Sequence, residues 1–191
     1  MIKINFKNKR GFTIIELIVA VSLFIVVSLV SMGALLSIVD VNRKAQSTKS
    51  ILNNLSFSIE SMSKAMRVGS TYHCGSSGFI DTPQDCLGGG NWIAFESSSG
   101  DRGNPNDQIV YRINGNQLER SINSGASFIG VTAPEVELTA GTGLRFFVLG
   151  SSPADTAQPR IIIIMKGKAG IKDKTSTSFN LQTSVSQREL D

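Results

Sequence analysis

The chain has 191 residues, 41% of them hydrophobic, and a formal charge of +4; that length accommodates one helix-anchored or one medium globular domain and excludes two full ones. The charge first suggests an anionic partner such as nucleic acid, yet Lys3, Lys7, Lys9 and Arg10 all fall in the first ten residues, which hold no acid. The other 15 Lys and Arg are matched by 15 Asp and Glu, so the basicity belongs to the N-terminus and not to the body of the chain.

Phe12 to Val39 is an apolar run whose single charge is Glu16, and Leu17 to Val39 carries none over 23 residues. As a helix that stretch is about 35 Å long, enough to cross a hydrocarbon core of about 30 Å. A core helix of a soluble protein seldom stays apolar on every face for so long. A cleaved signal peptide has a shorter apolar region that ends in a small-residue cleavage site, whereas Val39 is followed by Asp40-Val41-Asn42-Arg43-Lys44. The run reads as a retained span. Four cations before it favour a cytoplasmic N-terminus, with the remainder outside. Glu16 is costly at membrane depth unless paired or interfacial. Cleavage after Gly11 would give Phe12 a free amine one helical turn from Glu16, or an amine on a neighbouring chain would serve. The alternative is an interfacial acid that the helix dipole favours.

Lys9-Arg10-Gly11-Phe12-Thr13-Ile14-Ile15-Glu16-Leu17-Ile18-Val19-Ala20 closely resembles the processing site of type IV prepilins and type II secretion pseudopilins. The resemblance implies that a membrane peptidase cuts after Gly11 and methylates Phe12, and that Glu16 guides assembly with other subunits through the N-terminal helix at an inner-membrane platform. It implies a single-pass subunit of the cytoplasmic membrane that later enters a cell-surface or periplasmic filament. Glu16 argues against the tip subunit of K type, and the head is more similar to minor pilins or J-type pseudopilins. The twenty-second residue after the cut is often Pro in major pilins and is Gly33 here.

Beyond the span, Val41, Ala45, Thr48, Leu52, Leu55, Ile59, Met62 and Met66 form a stripe at alternating spacings of four and three. The pattern predicts one helix over about 13–68, with Gly69 as its C-cap. A coiled-coil seam is the alternative to packing beneath a sheet. The expected organisation is a leader over 1–11, a membrane and assembly helix over 12–40, its amphipathic continuation over 41–68 and a β-rich head over 69–191. That is an α+β, pilin-like fold with the helix packed on an antiparallel sheet.

In the head, strand patterning falls at 92–96, 108–113, 117–122, 135–139, 144–149, 160–168 and 176–185. Asn114-Gly115 is expected to supply the positive φ values of a hairpin turn, and Ile161–Met165 suits an interior strand. Residues 81–90 and 97–107 read as loops.

No catalytic or phosphate-binding motif occurs, so an enzyme is not expected. Cys74 and Cys86 in an exported head read as a local disulfide. With His73 they give three soft ligands but lack zinc spacing. The loop Asp101-Arg102-Gly103-Asn104-Pro105-Asn106-Asp107 gathers oxygens that calcium could use, against an ordinary Asx/Pro turn. Lys166, Lys168, Lys172 and Lys174 form a basic cluster that could touch DNA, against a solvated hairpin around Asp173 and Phe179.

Overall fold

The computed structural model describes residues 11–76, 78–153, 156–170 and 176–188. The leader up to Arg10, and Lys172, Asp173 and Lys174 of the basic cluster, lie outside the described residues. Among the described residues, one helix, α1 (Ile14–Val68), is followed by ten strands. The helix runs through Gly33 without a break, since glycine weakens a helix but keeps its N–H. By contacts the chain divides into two compact units, Met1–Ala45 and Gln46–Asp191.

In the first unit every described residue is exposed, including Phe24, Val27, Leu29 and Leu35. The most apolar window of α1 has a mean hydropathy of 2.7 and no buried residue.

The second unit contains the rest of α1 and the head. The buried face of the helix is Ile51, Leu55, Ser58, Met62 and Met66, which corrects the expected stripe. Val41 and Ala45 are exposed, Leu52 is 43% exposed, and the buried line passes through Ile51 in place of Leu52 and takes in Ser58 beside Ile59, which is half-buried against the core as expected. Ser58 is tolerated there because its hydroxyl donates to the Asn54 carbonyl at 2.9 Å and reaches the Val131 carbonyl at 3.4 Å. The face belongs to the head's own core, with Tyr72, Phe95, Tyr111, Leu138, Phe146 and Ile163, not to a coiled-coil seam.

Two antiparallel sheets make up the head. The first runs β1 (Ser70–Cys74), β3 (Trp92–Glu96), β4 (Ile109–Asn114), β5 (Gln117–Ser121), β6 (Ile129–Gly130). The second runs β10 (Thr177–Ser186), β9 (Arg160–Ala169), β8 (Leu144–Leu149), β2 (Cys86–Gly90), with β7 (Val136–Leu138) also paired to β9. Patterning anticipates seven of these strands. It misses β1, β2 and β6, and β2 corrects the loop expected over 81–90.

Two turn features also differ from expectation. Asn114 pairs with Gln117, so the hairpin loop is Gly115-Asn116 and only Gly115, at φ 57°, has a positive φ; glycine at the first loop position marks a type II′ turn. Gly69 is not a left-handed cap, since its φ is not positive. A Cβ there would lie 2.5 Å from the Phe95 ring and 2.8 Å from the Glu96 carbonyl oxygen, so close approach requires the glycine. The helix end is capped by Tyr72, whose buried hydroxyl lies 2.5 Å from the Met66 carbonyl oxygen and 2.7 Å from that of Gly69. The Arg188 amide donates to the Arg67 carbonyl at 2.8 Å.

Candidate processing and assembly site

Helix α1 starts where Thr13 can act as its N-cap. The Thr13 hydroxyl accepts from the Glu16 amide at 3.3 Å, while Glu16 Oε2 accepts from the Thr13 amide at 2.9 Å and from its hydroxyl at 2.8 Å. This reciprocal pair is a capping box, which satisfies donors that the first turn leaves open. Sequence reading paired Glu16 with an amine and overlooked Thr13, although Thr-x-x-Glu before an apolar run signals such a box. Each of these bonds to the carboxylate falls on Oε2. Gly11 and Phe12 precede the helix outside regular secondary structure and are exposed, Phe12 to 84%. Phe12, Ile15, Glu16, Val19, Ala20 and Leu23 line one shallow apolar groove. Glu16 thus shares an apolar surface with Phe12, the residue that follows Gly11.

In the head, Cys74 and Cys86 form the expected disulfide, with Cα atoms 5.7 Å apart. It joins β1 of one sheet to β2 of the other. Gly90 lets the strands close on it, since a Cβ there would lie 2.9 Å from Cys74 Sγ. His73 is fully buried, with Nδ1 2.8 Å from the Thr82 carbonyl oxygen and its ring edge-on to Trp92. Both cysteines are consumed by the bond, so the three-ligand alternative fails. Among the described residues no three His, Cys, Asp or Glu side chains converge to hold a metal.

The loop over 101–107 is folded on itself. Asp101 Oδ1 accepts from the Gly103 amide at 3.0 Å and Asn104 Oδ1 from the Asn106 amide at 3.1 Å. Only Asp107 turns inward, and it faces residues that sequence reading left out. Glu96 is 2% exposed; Oε2 accepts from the Gln108 side-chain amide at 2.5 Å, while Oε1 has no hydrogen-bond partner. Burial, and next the charge of Asp107, raise the Glu96 carboxyl above its ordinary value; Arg102 acts the other way but makes no ion pair with it. Arg102 instead lines a cavity of about 500 Å³ with Thr71, Pro83 and Ser151.

Lys166 and Lys168 are both exposed on β9. Lys168 stands opposite Glu137 of β7, so its charge is locally offset. Glu137 is exposed and solvated.

Residues 6–32 match the family model of the prokaryotic N-terminal methylation motif. The match spans the end of the basic leader from residue 6, the Gly11–Phe12 bond, Glu16 and the first turns of the apolar helix, and is consistent with a member of the type IV prepilin and pseudopilin family. No curated protein and no solved structure matches the chain. The motif, the apolar helix and the antiparallel head are together consistent with a type IV pilin-like precursor, and α1 is long and apolar enough to cross a membrane.

Proposed function

We propose that the chain is a minor subunit of a type IV pilus or type II secretion-like filament, cut after Gly11 by a prepilin peptidase and N-methylated on Phe12. The observation that carries this reading is the methylation motif over 6–32, in register with an exposed Gly11–Phe12 bond just ahead of a capped, apolar helix. The leader sits in the cytoplasm and the head outside, as four leading cations favour. Glu16 then has two tasks. Oε2 holds the first turn through Thr13, and Oε1 accepts the methylated amine of a neighbouring subunit. Subunits associate through the apolar helices, on which every described residue up to Ala45 is exposed.

Intact-mass analysis of the protein extracted from membranes tests the cut. The expected mass is that of residues 12–191 plus one methyl group; a mature chain that begins anywhere else overturns the assignment. The variant Glu16→Ala is expected to be cut and methylated as before and to stay in the membrane fraction, with at least about tenfold less in sheared filaments, as loss of a buried ionic partner predicts.

A further inference from the structure

Glu96 is a carboxyl placed where a charge is hard to keep. It closes β3 at 2% exposure, and no cation makes an ion pair with it among the described residues. Its Oε1 fills the space that a side chain on Gly100 would take, and that point lies 3.2 Å from Asp107 Oδ2. Two acids therefore stand side by side against the turn in which the Gly100 amide donates to the Ser97 carbonyl. One oxygen of each is already held. Glu96 Oε2 accepts from the Gln108 side-chain amide, and Asp107 Oδ2 accepts from the Asp101 amide at 2.8 Å. The other two, Glu96 Oε1 and Asp107 Oδ1, are buried with no hydrogen-bond partner. Carboxylates this close and this dry cannot both ionise at small cost. A proton on one of them turns an orphaned acceptor into a donor and gives the facing carboxylate a partner.

We propose that Glu96 and Asp107 hold one proton between them in the folded head, and that the 97–107 loop loosens when a rise in pH takes that proton to solvent. On Glu96 Oε1 the proton serves as an O–H donor to the Asp107 carboxylate. Its loss leaves two like charges at the base of the loop, beside the Gly100 and Asp101 amides that fix the turn. The groups around the pair agree with this. Ser70 of β1 stands opposite Glu96, and Ser124 backs Gln108 at its amide; neither carries charge. Burial raises the Glu96 carboxyl most, then Asp107; Gln108 lowers it, Asp101 raises it and Arg102 lowers it. A carboxyl raised in the folded state adds stability that is complete below its unfolded pKa of about 4.3. That stability is lost as pH rises through the folded value. The same loop carries Arg102 to the cavity that Thr71 and Ser151 also line, so loosening it frees a charged residue of that wall.

The test compares the full-length protein in detergent micelles with Glu96→Gln and Asp107→Asn. Each variant keeps an oxygen for the amide that its carboxylate accepts from and removes one charge. Between about pH 4.5 and about pH 8 the wild-type head should lose thermal midpoint relative to Glu96→Gln, which should lead by about 3 °C or more at the upper end. Over the same range, hydrogen-exchange protection of the Gly100 and Asp101 amides should fall at least about tenfold in wild type and stay within about twofold in Glu96→Gln. An NMR titration of the wild-type side-chain carboxyls reads the proton directly and needs no variant to fold. Glu96 should titrate above the ordinary glutamate value of about 4.3, and Asp107→Asn should bring it down. A Glu96 midpoint at or below that ordinary value, or one that Asp107→Asn leaves unchanged, overturns the proposal. So does a Glu96→Gln head no more stable than wild type at about pH 8, or loop protection that is constant with pH.

Discussion

The two parts of α1 are one continuous helix made under opposite rules. Up to Val39 apolar side chains cover every face and none is buried; beyond Ala45, polar residues cover most of the surface and a single line from Ile51 to Met66 is buried to 4% exposure or less. Removing the apolar side chains of the first part from water is worth tens of kcal/mol, and only lipid or other subunits can provide that burial. The second part gains its stability from the head. Helix continuity is therefore local chemistry, whereas the solvent of each part is set by where its apolar residues are placed.

The largest expected effect comes from making the same substitution on both sides. Leu55→Ala, at 0% exposure, should destabilise the head by about 2–5 kcal/mol in denaturant unfolding. Leu35→Ala, at 59% exposure, should leave that transition within about 0.5 kcal/mol. Equal losses would mean that the two parts are not energetically separate. Next in size is the covalent link within the head: replacing both Cys74 and Cys86 by Ala should cost about 3 kcal/mol in the same assay, as expected for a loop of this length.

The smallest effect is a pH dependence confined to the head. Burial pushes the Glu119 carboxyl up, but the Asn114 hydrogen bond and the Arg112 ion pair at 2.8 Å together hold it below its ordinary value. A carboxyl held lower in the folded state stabilises above its unfolded pKa of about 4.3 and loses that contribution as pH falls through the folded value. The midpoint difference between wild type and Glu119→Gln should thus be largest near neutral pH and vanish in strong acid. Partial exposure of Arg112, at 34%, keeps it below about 1 kcal/mol. A difference that grows on acidification would show that the pair is not stabilising.

Much of this was legible in the residues. The apolar run, its flanks and the Gly-Phe-x-x-x-Glu pattern announce the N-terminal part, because lipid leaves a uniform mark on composition. Strands β3 and β8 match their patterning residue for residue, since both are short runs rich in aromatic and aliphatic side chains, bounded by Asn91 and Ser97 and by Gly143 and Gly150. Strand β2 was hidden because Cys86-Leu87-Gly88-Gly89-Gly90 looks like a loop. Its glycines serve close approach, Gly89 to the Phe147 ring and Gly90 to Cys74 Sγ, and propensity cannot register an approach made by residues far along the chain. The buried helix line takes Ile51 in place of Leu52, and it gains Ser58 beside the half-buried Ile59 because that hydroxyl, polar in isolation, finds an acceptor on the head. Glu96 was invisible for a similar reason. It ends a strand that patterning finds, but its partners Asp107 and Gln108 arrive only when the intervening loop folds back.

The bond between Cys74 and Cys86 has a mechanical meaning as well as a thermodynamic one. Tension applied at the helix would reach the head through Val68 and Gly69, directly into β1. Six residues past the end of α1, at Cys74, the covalent path forks: one branch continues along the chain, and the other crosses to β2 and so to the second sheet. Traction on the helix is shared between both sheets through covalent bonds, and neither sheet must be peeled from the other to carry it.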